Sequence, residues 1–237
     1  MRLDKYLLQL NIATRSRASL VIKKGYVSVN GVVITKAGYE VKETDIVKVQ
    51  DLDYASQGGY KLATAIDNFH IDCTNRTCLD IGASNGGFTD YLLKNGAAKV
   101  YAIDVGECAF SDELKNDDRV IIKDRLNARY LTYDDIGEFA DLVVIDVSYI
   151  SLRLIIPPLK ALIKDNADII ALIKPQFEVG KNNLDKRGVV KDKIIYNTVI
   201  EGLKNYLEAE KFIVHKVCEY IPFEKNKNIE FLAHITV

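Results

Sequence analysis

The fold of this chain is decided by the stretch Leu79-Asp80-Ile81-Gly82-Ala83-Ser84-Asn85-Gly86-Gly87-Phe88-Thr89. An apolar run typical of a buried strand leads into small residues, and a helix is predicted to start at Gly87. Two more apolar runs end in polar residues, one at Asp146 and the other at Lys174. The carboxyl ends of parallel strands meet at one edge of a sheet, and we expect these three ends to lie side by side there.

From residue 58 onwards, apolar strands alternate with helices. The predicted strands lie near residues 78–81, 99–103, 120–122, 141–145, 169–173, 213–220 and 229–236, and the predicted helices lie near residues 60–69, 87–95, 152–164 and 193–210. This alternation predicts an α/β fold with a doubly wound, Rossmann-like, mostly parallel sheet of seven strands. No helix separates the last two strands, which we expect to pair as an antiparallel hairpin at one edge.

The first fifty residues predict a separate small α+β domain. Two helices precede a hairpin over residues 26–34, in which Asn30-Gly31 between β-branched residues is a strong turn signal. Residues 1–50 hold nine Lys/Arg and four Asp/Glu, a charge of +5, which leaves −6 for the rest of a chain whose net charge is −1. A basic module favours a polyanionic partner. We therefore predict a basic domain over residues 1–50, a linker over 51–57 and a main domain over 58–237.

The composition argues against a membrane protein and against a metalloprotein. None of the 237 residues belongs to an apolar run near the roughly 18 residues of a membrane span, and no signal peptide is predicted. The four cysteines form no Cys-x-x-Cys pair and the three histidines are scattered, so no metal site is predicted. We interpret the cysteines as reduced thiols and expect a cytoplasmic protein.

The glycine-rich loop after residue 81 indicates a cofactor site. Its small residues allow close approach of a ligand to the backbone, and the following helix offers free N–H groups. The spacing is neither Gly-x-Gly-x-x-Gly nor a Walker loop, and Asp80 at the strand end would repel a phosphate. An acid there suits a cationic or amino-bearing ligand such as S-adenosylmethionine. Asp104 and Asp124 end the next two strands, where they could accept from a ribose hydroxyl and from an adenine amino group. The alternative is a plain tight turn, with the aspartates as helix caps.

The predicted cofactor-binding residues lie at three neighbouring strand ends. They are Asp80, Gly82, Ala83, Ser84, Asn85, Gly86, Gly87, Phe88, Asp104, Val105, Asp124, Arg125 and Asp146.

A candidate reactive group follows the strand that ends at residue 173. Lys174 precedes Pro175, and Asp146 ends the neighbouring strand. A lysine amine next to a carboxylate can act on the proton of a hydroxyl. Lys61, at the start of a helix, and Glu230, in the last strand, are weaker candidates because nothing local places them at the site. The spacing alone leaves open whether these residues are catalytic or only form salt bridges between strands.

The main domain resembles the FtsJ-like ribose 2′-O-methyltransferases, and the whole chain resembles the TlyA family, whose members carry both haemolysin and rRNA 2′-O-methyltransferase names. The resemblance rests on residues 56–62, 79–89, 101–106, 127–129, 145–152, 172–178 and 228–232. It implies S-adenosylmethionine as cofactor and a catalytic Lys-Asp-Lys-Glu tetrad at Lys61, Asp146, Lys174 and Glu230. In this reading Lys174 accepts the 2′-OH proton or stabilises the alkoxide, Asp146 orients Lys174, and Lys61 and Glu230 position the ribose. The chain departs from the family pattern at residues 107–111 and 222–227.

The N-terminal module resembles the S-four-like RNA-binding fold. Residues 2–7, 15–18 and 25–31 carry this resemblance. It implies contacts to structured RNA from Arg2, Lys5, Arg15, Arg17, Lys23 and Lys24. The basic stretch over residues 180–193 could also clamp RNA phosphates, or it could be a solvated connection.

Taken together, these features predict S-adenosylmethionine-dependent ribose 2′-O-methylation of rRNA, with a cytidine in assembled ribosomal subunits as the expected target. Two alternatives remain at this stage. One is a membrane-active haemolysin, which lacks support from any apolar span or basic amphipathic helix. The other is an rRNA-binding assembly factor without catalysis, which the intact tetrad disfavours.

Overall fold

The computed structural model describes residues 1–9, 15–23, 25–49, 54–192, 194–220 and 228–237. Of residues 15–17, 20 and 181 only the backbone is described. Lys24 and the stretch over residues 222–227 therefore lie outside the described residues, and so do the side chains of Arg15 and Arg17. The chain divides into two compact units, Met1–Gln57 and Gly58–Val237.

The first unit is a small α+β fold. Its elements are α1 (Leu3–Gln9), α2 (Arg15–Lys23), β1 (Val27–Val29), β2 (Val32–Val33) and β3 (Val47–Val49), with the antiparallel strand order β2-β1-β3. Asn30 and Gly31 both have positive φ, as a two-residue turn between twisted strands requires. The sequence did not indicate β3, which Asn30 helps to hold: its side chain donates to Asp45 Oδ1 and accepts from the Ile46 N–H.

The second unit is the predicted α/β sheet with its covering helices. Its elements are α3 (Gln57–Phe69), β4 (Thr77–Ile81), α4 (Gly87–Lys94), β5 (Lys99–Ile103), α5 (Asp112–Lys115), β6 (Val120–Lys123), α6 (Tyr133–Ile136), β7 (Ala140–Ile145), β8 (Ile163–Ile173), α7 (Pro175–Glu178), α8 (Ile194–Ala209), β9 (Ile213–Tyr220) and β10 (Glu230–Thr236). The seven strands follow the order β6-β5-β4-β7-β8-β10-β9.

The strand directions bring distant residues to one edge of this sheet. Strands β4 to β8 are parallel, while β10 runs antiparallel to both β8 and β9. Phe231 lies opposite Ile173, so the start of β10 meets the end of β8. We call this side of the sheet the carboxyl edge. The residues that follow β7 and β8 and the first residue of β10 are therefore neighbours in space.

The predicted helix over residues 152–164 is wrong. Two short 3-10 turns, Leu152–Leu154 and Pro157–Ala161, replace it, and β8 already begins at Ile163. Prolines 157 and 158 explain the difference, because proline lacks an N–H donor and disfavours helical backbone in the preceding residue.

The core is built from strands that are apolar on both faces. Leu79, Val143, Ile145, Ile169 and Ala171 are all fully buried. Complete burial of a Leu or Ile side chain contributes about 1.5–3 kcal/mol to folding. This packing fixes the strand ends on which the site stands.

Candidate active site

Four charged side chains meet at the carboxyl edge. Lys61 Nζ lies 2.7 Å from Glu230 Oε2 and 3.7 Å from Asp146 Oδ2. Lys174 Nζ lies 2.6 Å from Asp146 Oδ1. The four side chains thus form a row of alternating charge, Glu230–Lys61–Asp146–Lys174, which we call the tetrad. The structure thus brings together the four residues Lys61, Asp146, Lys174 and Glu230 that the sequence analysis singled out.

Burial and charge pairing define the electrostatics of the tetrad. Its side chains are only 11–20% exposed. Burial by itself lowers the pKa of Lys61, but the carboxylates of Asp146 and Glu230 outweigh it and hold that pKa above its ordinary value. The ring of Tyr220 also lies beneath Lys61, with its centroid 5.9 Å from Nζ. Lys61 therefore carries a positive charge in the site at neutral pH.

Two carboxylate oxygens of the tetrad keep unused acceptor capacity. Asp146 Oδ1 and Glu230 Oε2 are buried, and one lysine approaches each of them, Lys174 Nζ at 2.6 Å and Lys61 Nζ at 2.7 Å. A carboxylate oxygen can accept more than one hydrogen bond, so each of these oxygens can also accept from a bound hydroxyl.

Ser148 extends the row beyond Lys174. Lys174 Nζ donates a hydrogen bond of 2.9 Å to Ser148 Oγ. The next residue, Tyr149, has a left-handed backbone with φ of 65°, and its side chain is 91% exposed. Its ring lies 5.0 Å from that of Phe177. Sequence reasoning missed Ser148 and Tyr149, although both directly follow the strand end that carries Asp146.

The glycine loop adjoins the tetrad because the backbone chains nearly touch. Gly82 has φ of 87°, and a Cβ atom there would lie 2.5 Å from the Asp146 carbonyl oxygen. Gly86 has φ of 76°, and a Cβ there would lie 2.7 Å from Leu114 Cδ1. Only glycine combines this backbone with such close packing. The structure therefore requires glycine at both positions, which an exposed tight turn would not.

A cavity of about 470 Å³ opens between this loop and the tetrad. Ligand pockets of this kind typically span about 300–1,000 Å³. Of the predicted site residues, those lining it are Gly82, Ser84, Asp104, Val105, Asp146 and Lys174; the other lining residues are Ile81, Ile103, Leu126, Asn127, Ala128, Val147, Ser148, Tyr149, Ile150 and Ile155. The size of the cavity and its mixed apolar and acidic lining suit a nucleoside-like ligand.

Asp104 presents its carboxylate to the cavity in a fixed orientation. Its Oδ2 accepts from the Ser84 N–H at 2.9 Å and its Oδ1 from the Gly106 N–H at 2.8 Å. Each oxygen retains a further lone pair for a ligand hydroxyl. Asp104 thus joins the glycine loop to the loop that follows β5.

The remaining predicted cofactor residues do not line the cavity. Asp124 Oδ1 accepts from the Cys108 N–H at 2.7 Å, and this bond holds the pKa of Asp124 below its ordinary value. Arg125 pairs with Glu107. Ala83 and Phe88 are buried. The others outside the lining are Asp80, Asn85, Gly86 and Gly87.

Asp80 lies beneath the glycine loop. It is fully buried, and Thr89 Oγ1 donates to its Oδ2 at 2.6 Å while its Oδ1 has no hydrogen-bond partner among the described residues. Burial raises the pKa of Asp80 to about 7, against the hydrogen bond from Thr89, which lowers it. Asp80 thus links β4 to α4 through Thr89 and does not line the cavity.

The described basic side chains of the first unit differ in their pairing and exposure. Arg2 is held by Asp4, with Nη2 2.7 Å from Oδ2, while Lys5 and Lys23 are exposed. In the second unit, the stretch after α7 exposes Lys186, Arg187 and Lys191, and Arg187 pairs with Asp185.

Membrane and metal features can be stated for the described ranges. No helix within them is long and apolar enough to cross a bilayer. Within the same ranges, no three His, Cys, Asp or Glu side chains are grouped to hold a metal ion. All four cysteines are free thiols.

The sheet and its neighbours in known structures define the class. The archaeal fibrillarin pre-rRNA processing protein from Methanococcus jannaschii shares the fold at 18% identity, with a TM-score of 0.56 over 83% of this chain and 81% of that chain. This is the Rossmann-like fold of methyltransferases, with a small additional domain at the N-terminus. The FtsJ-like methyltransferase family matches residues 54–235, and the S4 domain matches residues 1–47. The chain belongs to the TlyA family of FtsJ-like methyltransferases.

Three relatives illustrate the range of names in this family. The 16S/23S rRNA (cytidine-2′-O)-methyltransferase TlyA of Mycobacterium tuberculosis is 42% identical over 81% of this chain and 73% of its own. Hemolysin A of Brachyspira hyodysenteriae is 37% identical over the full length of both chains. A solved structure from Streptococcus thermophilus, provisionally named a hemolysin, is 35% identical with a TM-score of 0.78, over 100% of this chain and 88% of that chain.

Proposed function

We propose that this protein methylates the 2′-hydroxyl of a ribose in ribosomal RNA, with S-adenosylmethionine as the methyl donor. The observation that carries the proposal is the tetrad of alternating charge beside the glycine-loop cavity. The names of the relatives in Mycobacterium tuberculosis and Campylobacter jejuni, both rRNA (cytidine-2′-O)-methyltransferases, support a cytidine of rRNA as the target.

The residues present fit the cofactor. Gly82 leaves the cavity wall free of a side chain where a Cβ would collide with the Asp146 backbone. Ser84, Asp104 and Val105 would hold the nucleoside part, with the Asp104 carboxylate accepting from ribose hydroxyls. S-adenosylmethionine supplies a methyl group activated by a positively charged sulfur.

Lys174 is the residue that acts on the substrate hydroxyl. Either its neutral amine accepts the 2′-OH proton or its ammonium group stabilises the alkoxide. The 2.6 Å contact with Asp146 Oδ1 fixes the position of Lys174 Nζ and is compatible with either role. Asp146 holds Lys174 by that contact, while Ser148 Oγ accepts a hydrogen bond from Lys174 Nζ.

Lys61 and Glu230 complete the site by placing the ribose. The free acceptor capacity of Glu230 Oε2 suits a ribose hydroxyl, and Lys61 balances the two carboxylates between which it lies. Alignment of the hydroxyl contributes most of the rate, because direct attack on a methyl group needs no covalent intermediate with the protein.

Methyl transfer to rRNA tests the proposal directly. The protein is incubated with S-adenosylmethionine labelled in the methyl group and with ribosomal subunits from cells that lack the enzyme. We expect label in rRNA at a nucleotide whose 3′ phosphodiester becomes resistant to alkali, since a 2′-O-methyl group blocks attack by the 2′ oxygen. Label on a base, or no label in either subunit, would contradict the proposal.

The exposed lysines of the first unit provide a second test. Reversing two charges with Lys5→Glu and Lys23→Glu should weaken RNA binding and lower the slope of log K against log salt by about 2, if each lysine contacts a phosphate. Cofactor affinity should not change. The control is Lys204→Glu with Lys211→Glu, which changes the net charge equally but places it in the second unit. Equal losses in both double variants would show a general charge effect and contradict a specific RNA surface.

A further inference from the structure

We propose that Glu178 is a positioning residue for methyl transfer, which holds the loop carrying Asp146 against the turn carrying Lys174. This inference rests on the proposed function. The two segments are the Asp146 loop, residues 146–151, and the Lys174 turn, residues 174–178.

The Asp146 loop has little structure of its own. It runs without helix or strand between β7 and the 3-10 turn Leu152–Leu154. Tyr149 within it adopts a left-handed backbone, which is unfavourable for a residue with a side chain. Such a loop keeps one conformation only when contacts from elsewhere hold it.

Those contacts come from the Lys174 turn at two ends. At one end, Lys174 Nζ reaches Asp146 Oδ1 at 2.6 Å and Ser148 Oγ at 2.9 Å. At the other end, Glu178 Oε2 accepts from Ser151 Oγ at 2.6 Å and Oε1 accepts from the Leu152 N–H at 2.8 Å. Both carboxylate oxygens are thus used to hold the far end of the loop.

The turn itself is a rigid support. Lys174 lies at the N-terminal cap of α7, with the buried Pro175 at the first position of the helix. The Phe177 N–H donates to the Lys174 carbonyl and the Val179 N–H to that of Pro175. Glu178 is therefore fixed relative to Lys174, and its two hydrogen bonds transmit that position to the Asp146 loop.

Loss of the Glu178 carboxylate should broaden the distribution of Asp146–Lys174 distances. Misplacement of a catalytic group by about 1 Å can cost about 100-fold in rate. Glu178 lies outside the cavity lining, so cofactor contacts should survive. The expected signature is a lower kcat with little change in KM.

The test compares Glu178→Ala, Glu178→Gln and the control Asp141→Ala. Asp141 makes the same kind of contact at the opposite end of the sheet, where its Oδ2 accepts from the Thr77 N–H at 2.9 Å. We expect Glu178→Ala to lower kcat about 30- to 100-fold, with KM for RNA and Kd for S-adenosylmethionine within about twofold of wild type. Glu178→Gln keeps an acceptor for Leu152 and a donor for Ser151, so it should restore most of the rate.

Hydrogen exchange separates this inference from the proposed function. Amides of residues 148–154 should exchange faster in Glu178→Ala than in the wild type. In Asp141→Ala their exchange rates should equal those of the wild type. Both results are expected whether or not methyl transfer is observed. A wild-type protein without methyl transfer would refute the proposed function alone. Unchanged exchange in Glu178→Ala, or a kcat loss no larger than that of Asp141→Ala, would overturn the role of Glu178.

Discussion

Lys174→Ala should lower methyl transfer to rRNA by about 1,000-fold or more while leaving the protein folded and able to bind S-adenosylmethionine. The substitution removes the only lysine in contact with both Asp146 and Ser148 among the described residues. Proton transfer is worth about 100- to 10,000-fold, and stabilisation of charge on the attacking oxygen by one donor is worth about 100- to 1,000-fold. The measurement is the rate of label incorporation in a single turnover, beside cofactor affinity and Tm.

The chain offers a matched control for this substitution. Lys164 also forms a 2.6 Å ion pair with an aspartate, Asp141, at the other end of the sheet. Lys164→Ala removes an ion pair of the same length that is more exposed and remote from the cavity, and it should leave the rate within about twofold. Such exposed pairs contribute at most about 1 kcal/mol to stability, so the variant should stay folded. A Lys174→Ala protein with wild-type rate would exclude Lys174 from catalysis.

Lys174→Arg then distinguishes the two roles of the lysine. An arginine side chain keeps its positive charge at all accessible pH values and cannot accept a proton. Appreciable residual activity in Lys174→Arg, well above that of Lys174→Ala, is expected if the ammonium group stabilises the alkoxide. Equal inactivity of both variants, with cofactor binding intact, would favour a neutral amine that takes the proton.

The sequence could predict half of the tetrad from the fold alone. Asp146 and Lys174 follow buried strands, and the rule that parallel strands end at one edge places them together. Lys61 and Glu230 could not be placed in this way, because Glu230 reaches the site only through the antiparallel pairing of β10 with β8. Their assignment depended on resemblance to a family, and the ion pairs of Lys61 with Glu230 and Asp146 bring both residues to the carboxyl edge.

Two differences between the sequence-based expectation and the structure have local physical causes. The apolar residues over 152–164 suggested a helix, but two adjacent prolines interrupt it and β8 takes the end of the segment. Asp80 was expected at the ligand because it ends a strand. Since side chains alternate along a strand, Asp80 points away from its neighbours Leu79 and Ile81 and meets Thr89 of α4. The alternation of side chains therefore directs Asp80 to Thr89, beneath the glycine loop, and not into the cavity.

Asp80→Asn should remove a marked pH dependence from the stability of the protein. Burial raises the pKa of Asp80 to about 7 in the folded state, whereas an aspartate in the unfolded chain has a pKa near 3.9. The unfolded state therefore loses its proton first as the pH rises. Between these two pKa values the folded state binds more protons, so its free energy of unfolding falls with rising pH and levels off above the folded-state pKa.

The effect is measured as a difference between two proteins. Denaturant unfolding of wild type and Asp80→Asn is followed from about pH 5 to about pH 8, and the wild type should lose on the order of 3 kcal/mol relative to the variant. Asp141→Asn is the control. Burial alone would raise the pKa of Asp141, but Lys164 and the Thr77 N–H hold it below its ordinary value, so its difference curve should be flat over this range.

The pH-dependent difference in stability between wild type and Asp80→Asn also tests the effect of the charges that line the cavity. Asp146 and Asp104 both raise the pKa of Asp80, so the negative charge at the carboxyl edge opposes ionisation of the buried acid. A cation bound in the cavity would partly offset that charge. S-adenosylmethionine should therefore reduce the loss of unfolding free energy with rising pH in the wild type. The pH dependence of Asp80→Asn should stay the same with and without the cofactor. A flat difference curve without cofactor would show that Asp80 is ionised throughout and that its burial is fully compensated.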